Sequence, residues 1–231
     1  MDLNQTSRLD TILPLRSIGW RGEGTASGAA TNRTDCRGEV RFSHFQIPTL
    51  VFCLALVSFI LASCATAPPK PSDPANLTAK IRALAPTIDP AEAALTADIA
   101  VHYPQELARA YHAVRPAGFN NMLINLGIHP RGLCFQWADD LTIKLMTLHL
   151  RTLELHRGVA HLGNVHEHSC VVLTAPGQSF DDGIALDAWR HAGHLAWATV
   201  KMDKYPWKEV ILDPEYQTDL RTAAQKMEVA K

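Results

Sequence analysis

Three residue types with separate chemical tasks recur in order along the C-terminal half of this 231-residue chain. Cys134 opens an amphipathic stretch, Arg131-Gly132-Leu133-Cys134-Phe135-Gln136-Trp137-Ala138-Asp139-Asp140-Leu141. His168 follows 34 residues later, just ahead of the apolar run Cys170-Val171-Val172-Leu173, and Asp187 closes Ile184-Ala185-Leu186 after 19 more. A thiolate can attack an acyl carbon, an imidazole can move the proton, and a carboxylate can fix the tautomer and orientation of the imidazole. The expected chemistry is acyl transfer through a thioester, with Cys134 as nucleophile, His168 as base and Asp187 as orienter.

A free thiol titrates near pH 8.5, so a nucleophilic cysteine needs a local reason to ionise. A helix start supplies unsatisfied N–H groups and the positive end of the helix dipole, both of which favour an anion. The backbone N–H of Cys134 is also a candidate donor to an oxyanion, with the Gln136 side chain as a second candidate. Gly132 would let a substrate approach without a side chain in the way. Asp181 and Asp182 compete with Asp187 for the orienting role, but a residue ending a packed strand is held more firmly than one in a loop. Other chemistries share these residues. Cys134 and Cys170 could form a disulfide in an oxidising compartment. Eight of the 11 histidines fall between His129 and His194. His166, His168 and Cys170 on one strand face, with His156, His161, His191 or His194, could make a zinc or copper site. The spacing matches no known zinc signature, and the thiol reading calls for no cofactor and no metal.

The elements that would position the triad follow from periodicity and punctuation. Asp89 and Pro90 start a helix that runs to about Ala100; Pro104 to Val114 and Ala117 to Gly127 read as two more. From Cys134 onward, Trp137, Leu141, Leu145 and Leu148 share one helical face. Alternation over Leu153–Arg157 predicts a strand, His166–Leu173 a second, Ile184–Asp187 a third and Leu195–Val200 a fourth. Glu215–Val229 reads as a terminal helix. Helices first and strands later predict an α+β domain, with a small antiparallel sheet against the Cys134 helix.

Gly132-Leu133-Cys134-Phe135-Gln136-Trp137-Ala138 resembles the cysteine helix of transglutaminase-like proteins, a Gly-x-Cys followed by an Ala-bearing amphipathic helix. His168 before Val171-Val172, and Asp187 followed by Trp189, are similar to the His and Asp strands of that superfamily. The resemblance spans about residues 130–200. It implies a papain-like arrangement with Cys134, His168 and Asp187 as the triad. It does not imply protein crosslinking, because bacterial relatives include peptidases, amidases and proteins with no demonstrated activity.

The N-terminal third reads differently. Pro48–Leu61 lacks formal charge, follows Arg41, and ends in Leu61-Ala62-Ser63-Cys64. A basic flank, an apolar core and small residues before a cleavage point describe a secretory leader, and the ending resembles the lipobox of bacterial lipoproteins. The resemblance implies lipid on Cys64, hence a membrane partner. Residues 40–63 are then the leader, 64–75 a Pro-rich tether, and 76–231 one globular domain. Residues 1–39 are polar and aperiodic, consistent with a disordered extension or an upstream start-site artefact. Ala65 in place of an Asp suggests the outer membrane, facing the periplasm. With 22 Lys/Arg against 23 Asp/Glu and no basic patch interleaved with aromatics, nucleic acid is not an expected partner. The expected function is an envelope lipoprotein acting on peptide, protein or peptidoglycan amides. The alternatives are a non-catalytic envelope lipoprotein and a histidine-rich metal binder.

Overall fold

The computed structural model describes residues 72–230. The leader, Cys64 and most of the tether lie outside the described residues. Five helices and five strands form an α+β domain: α1 Pro74–Arg82, α2 Pro90–Ala110, α3 Ala117–Asn125, α4 Cys134–Met146, β1 Glu154–Ala160, β2 His168–Thr174, β3 Ile184–Asp187, β4 Ala196–Thr199, β5 Lys208–Val210 and α5 Pro214–Val229. The sheet runs β4-β3-β2-β1-β5 and is antiparallel throughout. None of the described helices is long and apolar enough to cross a membrane.

Three helix starts use one device. Asp73, Asp89 and Asp213 each precede a proline and accept from N–H groups of the first turn. This satisfies donors that would otherwise be orphaned, while proline fills a position that needs no donor. The Asp73–Pro74 start puts α1 where the sequence suggests the tether is ending. Residues 90–110 form one helix, not the two expected around Pro104. An interior proline costs about 3 kcal/mol in an exposed helix. Here the Gln105 side chain donates to the Val101 carbonyl at 3.1 Å, and Pro104 is buried in the packed interior. Tertiary packing thus outweighs the local break.

The sheet is covered on both faces. Val171, Leu173, Ile184 and Leu186 join the large core built with α1, α2 and α4, including Leu77, Ile81, Trp137, Leu141 and Leu145. Each fully buried leucine there is worth about 1.5–3 kcal/mol. The alternate residues Cys170, Val172 and Ala185 face a smaller cluster with Val200 and Trp207. Period-two alternation therefore sends His168 and Asp187 to this second face. β2 is buried along its whole length, which explains its near-continuous apolar sequence. β5 has three residues, too few for alternation to announce it.

Candidate active site

Cys134 is the first residue of α4 and follows Leu133 at the N-cap. Leucine has no acceptor, so the first-turn N–H groups receive no side-chain cap, and the positive end of the helix stays open beside the sulfur. The backbone N–H of Cys134 is therefore available as the oxyanion donor expected from the sequence. The Gln136 Oε1 accepts from the N–H groups of Gly132 and Leu133 at 2.8 and 2.9 Å, which fixes the turn into the helix and leaves its side-chain N–H groups as the second candidate donor. Gly132 has a different reason from the one expected. Its φ is +125°, and a Cβ there would lie 3.0 Å from Asn120 Nδ2 and 3.5 Å from Tyr111 and Ile124. The glycine serves a left-handed backbone packed against α3 and α2, not a substrate opening.

His168 begins β2 and Asp187 ends β3, both buried. Nε2 of His168 bonds Asp187 Oδ2 at 2.7 Å. Nδ1 is buried without a conventional partner, and it is the nitrogen left to face Cys134. The thiol of Cys134 also reaches the carbonyl of Glu167, the residue before His168, at 3.7 Å. Burial is the largest influence on the imidazole and pushes its pKa down. The hydrogen bonds and charges of Asp187 and Cys134 together outweigh it, raising His168 from 6.5 to about 9. The two side chains expected from the sequence thus hold the histidine from both sides.

Asp187 divides its oxygens between two tasks. Oδ1 accepts from the N–H groups of Trp189 and Arg190 at 3.1 and 3.0 Å, turning the chain as a strand ends. Oδ2 accepts from His168 and from Arg190 Nε, the latter at 2.9 Å. Full burial works against the charged carboxylate. His168 and Arg190 outweigh that effect and hold the Asp187 pKa below its ordinary value. Asp181 and Asp182 sit apart in a short exposed 3₁₀ turn, where Asp182 pairs with Lys201 at 2.7 Å.

Several further side chains surround these three residues. Arg190 also donates to both oxygens of buried Asp203, at 3.0 and 2.8 Å, and lies over the Tyr205 ring. The His168 ring is enclosed by Trp189, Tyr205 and Trp207, with centroids 4.6, 4.8 and 5.1 Å away. Trp189 Nε1 donates to Asn121 Oδ1 at 3.0 Å and so ties α3 to this turn. The spacing Asp187-x-x-Arg190 is a local hint to one of these residues. Asp203, Tyr205 and Trp207 come from beyond β4, and only the fold brings them in.

The competing chemistries fare differently. Cys134 and Cys170 are both free thiols, and burial pushes the Cys170 thiol well above its ordinary pKa. Among the described residues, no group of three or more His, Cys, Asp or Glu side chains could hold a metal ion. His166 is exposed in the loop before β2 and does not extend the His168 face. His156 is instead held across the sheet by Glu209 and Thr174. Set against protein-family models, curated proteins and solved structures, the chain finds no match in any of the three.

Proposed function

We propose that this chain is an envelope lipoprotein, lipidated at Cys64 and facing the periplasm at the outer membrane. Its transglutaminase-like domain cleaves or transfers amide-linked acyl groups through a thioester on Cys134. One observation carries the catalytic part: a buried imidazole bonded to a buried carboxylate, and raised to a pKa of about 9 by that carboxylate and by the sulfur at an uncapped helix start. At neutral pH such an imidazole is an imidazolium, the charge that favours a thiolate beside it.

In the first step the Cys134 thiolate attacks the amide carbon, and the backbone N–H of Cys134 donates to the developing oxyanion. The C–N bond breaks as the His168 imidazolium gives its proton to the leaving amine. The neutral imidazole then takes a proton from water, or from an acceptor amine, as it attacks the thioester. The acid or new amide leaves, and the thiolate–imidazolium pair returns. Asp187 holds His168 in orientation throughout. Peptides, envelope proteins and peptidoglycan stems all present the required amide.

Brief iodoacetamide treatment at mildly acidic pH, read by peptide mass, tests the reading. Cys134 is expected to alkylate at least roughly tenfold faster in the parent than in His168→Gln. Cys134→Ala should lose amide turnover by roughly a thousandfold or more. A Cys134 that stays inert under reducing conditions, or full turnover in Cys134→Ala, overturns it.

A further inference from the structure

We infer that α3 and the arginine-lined hollow beside it form a face that docks onto the anionic phospholipid surface to which Cys64 is tethered. This inference rests on the lipoprotein reading above. Three independent observations support it.

The first is apolar exposure. Phe119, Met122 and Leu126 follow one another at helical spacings of three and four, and Ile128 lies just beyond. Phe119 and Met122 are each 47% exposed, Leu126 is 65% and Ile128 is 63%. This is a stripe rather than scattered single residues, and a helix with such a stripe is built to lie in an interface.

The second is charge. A hollow of about 550 Å³ lies between the end of α2, the link that leads into α3 and the turn after Asp187, lined by Arg109, His112, Arg115 and His194 and by no carboxylate. The other arginines near the core are spoken for: Arg131, Arg157 and Arg190 pair with Asp140, Asp139 and Asp187. Arg109 and Arg115 are exposed, and no ion pair engages them among the described residues. Arginine beside an apolar stripe matches phosphate headgroups above acyl chains.

The third is where the chain enters. The Ser72 hydroxyl donates to the Leu195 carbonyl, next to His194 of the hollow. Seven residues lie between Cys64 and Ser72, and the eight residue steps this makes extend to about 29 Å at most. A lipid on Cys64 therefore holds this end of the domain near the bilayer. The Trp189–Asn121 bond couples α3 to the catalytic turn, so docking also sets the height of the site above the membrane.

Hydrogen exchange on the full acylated chain, reconstituted in phosphatidylglycerol/phosphatidylethanolamine vesicles and in phosphatidylcholine vesicles, tests the docking. Amides of residues 117–128 should exchange about fivefold or more slowly on the anionic vesicles, and Arg109→Gln/Arg115→Gln should erase most of that difference. Amides of 214–229 should not change. Equal exchange of 117–128 on both vesicles, protection confined to 214–229, or protection that instead tracks protein concentration in detergent overturns the inference. Intact mass separates the two levels of failure. An unacylated Cys64 removes the premise and the inference with it, whereas an acylated chain with an unprotected α3 leaves the lipoprotein reading standing and removes only the docking face.

Discussion

At the residue scale, His168 is the buried imidazole whose pKa the fold raises. Its folded pKa of about 9 lies above the ordinary value of 6.5. The proton it gains on folding therefore adds stability that is fully present below about pH 6.5 and disappears as pH rises through about 9. The full shift corresponds to about 3 kcal/mol at most. Chemical denaturation at pH 6.5 and 9 should show this loss in the parent and little of it in His168→Gln; equal slopes in both would remove the assignment. The same titration divides two kinetic readouts. On the proposed mechanism amide turnover needs the imidazolium as acid for the leaving amine, so turnover of a peptidyl anilide should fall above about pH 9. Alkylation of Cys134 needs only the thiolate and should not fall there. A parallel decline of both would place the controlling group elsewhere.

At the element scale, α4 is held by ion pairs as well as by its apolar face. Asp139 is buried, bonded to Arg157 of β1 and to the Tyr216 hydroxyl of α5. Burial pushes its carboxyl up against the pull of Arg157 and Tyr216. Removing one partner leaves an uncompensated charge, whereas removing both removes the desolvation cost as well. Arg157→Leu should lose about 3–5 kcal/mol by urea denaturation. Asp139→Leu/Arg157→Leu should retain more stability than the single variant, and the opposite order would contradict this account. The turn after β3 depends on close approach to α2. Gly193 has φ +93°, and a Cβ would meet Ala108 Cβ at 2.6 Å and the Pro104 carbonyl oxygen at 2.7 Å. Gly193→Ala should therefore cost about 1–3 kcal/mol. It should also slow Cys134 alkylation at mildly acidic pH, because Trp189 and Arg190 sit on the same turn; an unchanged rate with unchanged stability would show that the turn is free to shift.

At the scale of the whole molecule, the two cysteines of the domain report different events. Cys134 is partly exposed at a helix start and Cys170 is sealed within the sheet, its sulfur 2.9 Å from where a Gly158 Cβ would stand. Local opening at the site can expose the first, whereas the second requires β1 and β2 to separate. Cys170 should therefore alkylate only at the global unfolding rate measured by pulsed denaturant, at any pH where the domain is folded. Fast native-state labelling of Cys170 would mean that the sheet opens as a separate unit. The aromatic enclosure of His168 joins β2, the turn after β3 and the segment leading into β5. The site is thus a property of the assembled sheet and not of one hairpin.

The order Cys134, His168, Asp187, the α+β class and most element positions were legible in the chain. Each rests on short-range physics: helical and period-two repeats, Asp–Pro caps, and the residue types that acyl chemistry requires. Asp187 was legible twice over, because one side chain both ends the strand and bonds the histidine. What failed to show was long-range. The break suggested by Pro104 was overridden by burial of α2 along its length. The roles of Gly132 and Gln136 depended on a backbone angle and a cap that their types alone do not specify. Arg190, Asp203, Tyr205 and Trp207 converge from turns whose sequence has no periodicity. That Cys134 and Cys170 stay free of each other was likewise decided by the fold. The sequence by itself determined which groups were present and what local elements they would occupy. Only the tertiary structure decided which of them meet, because burial and non-local pairing, not spacing along the chain, set distance and charge at the site.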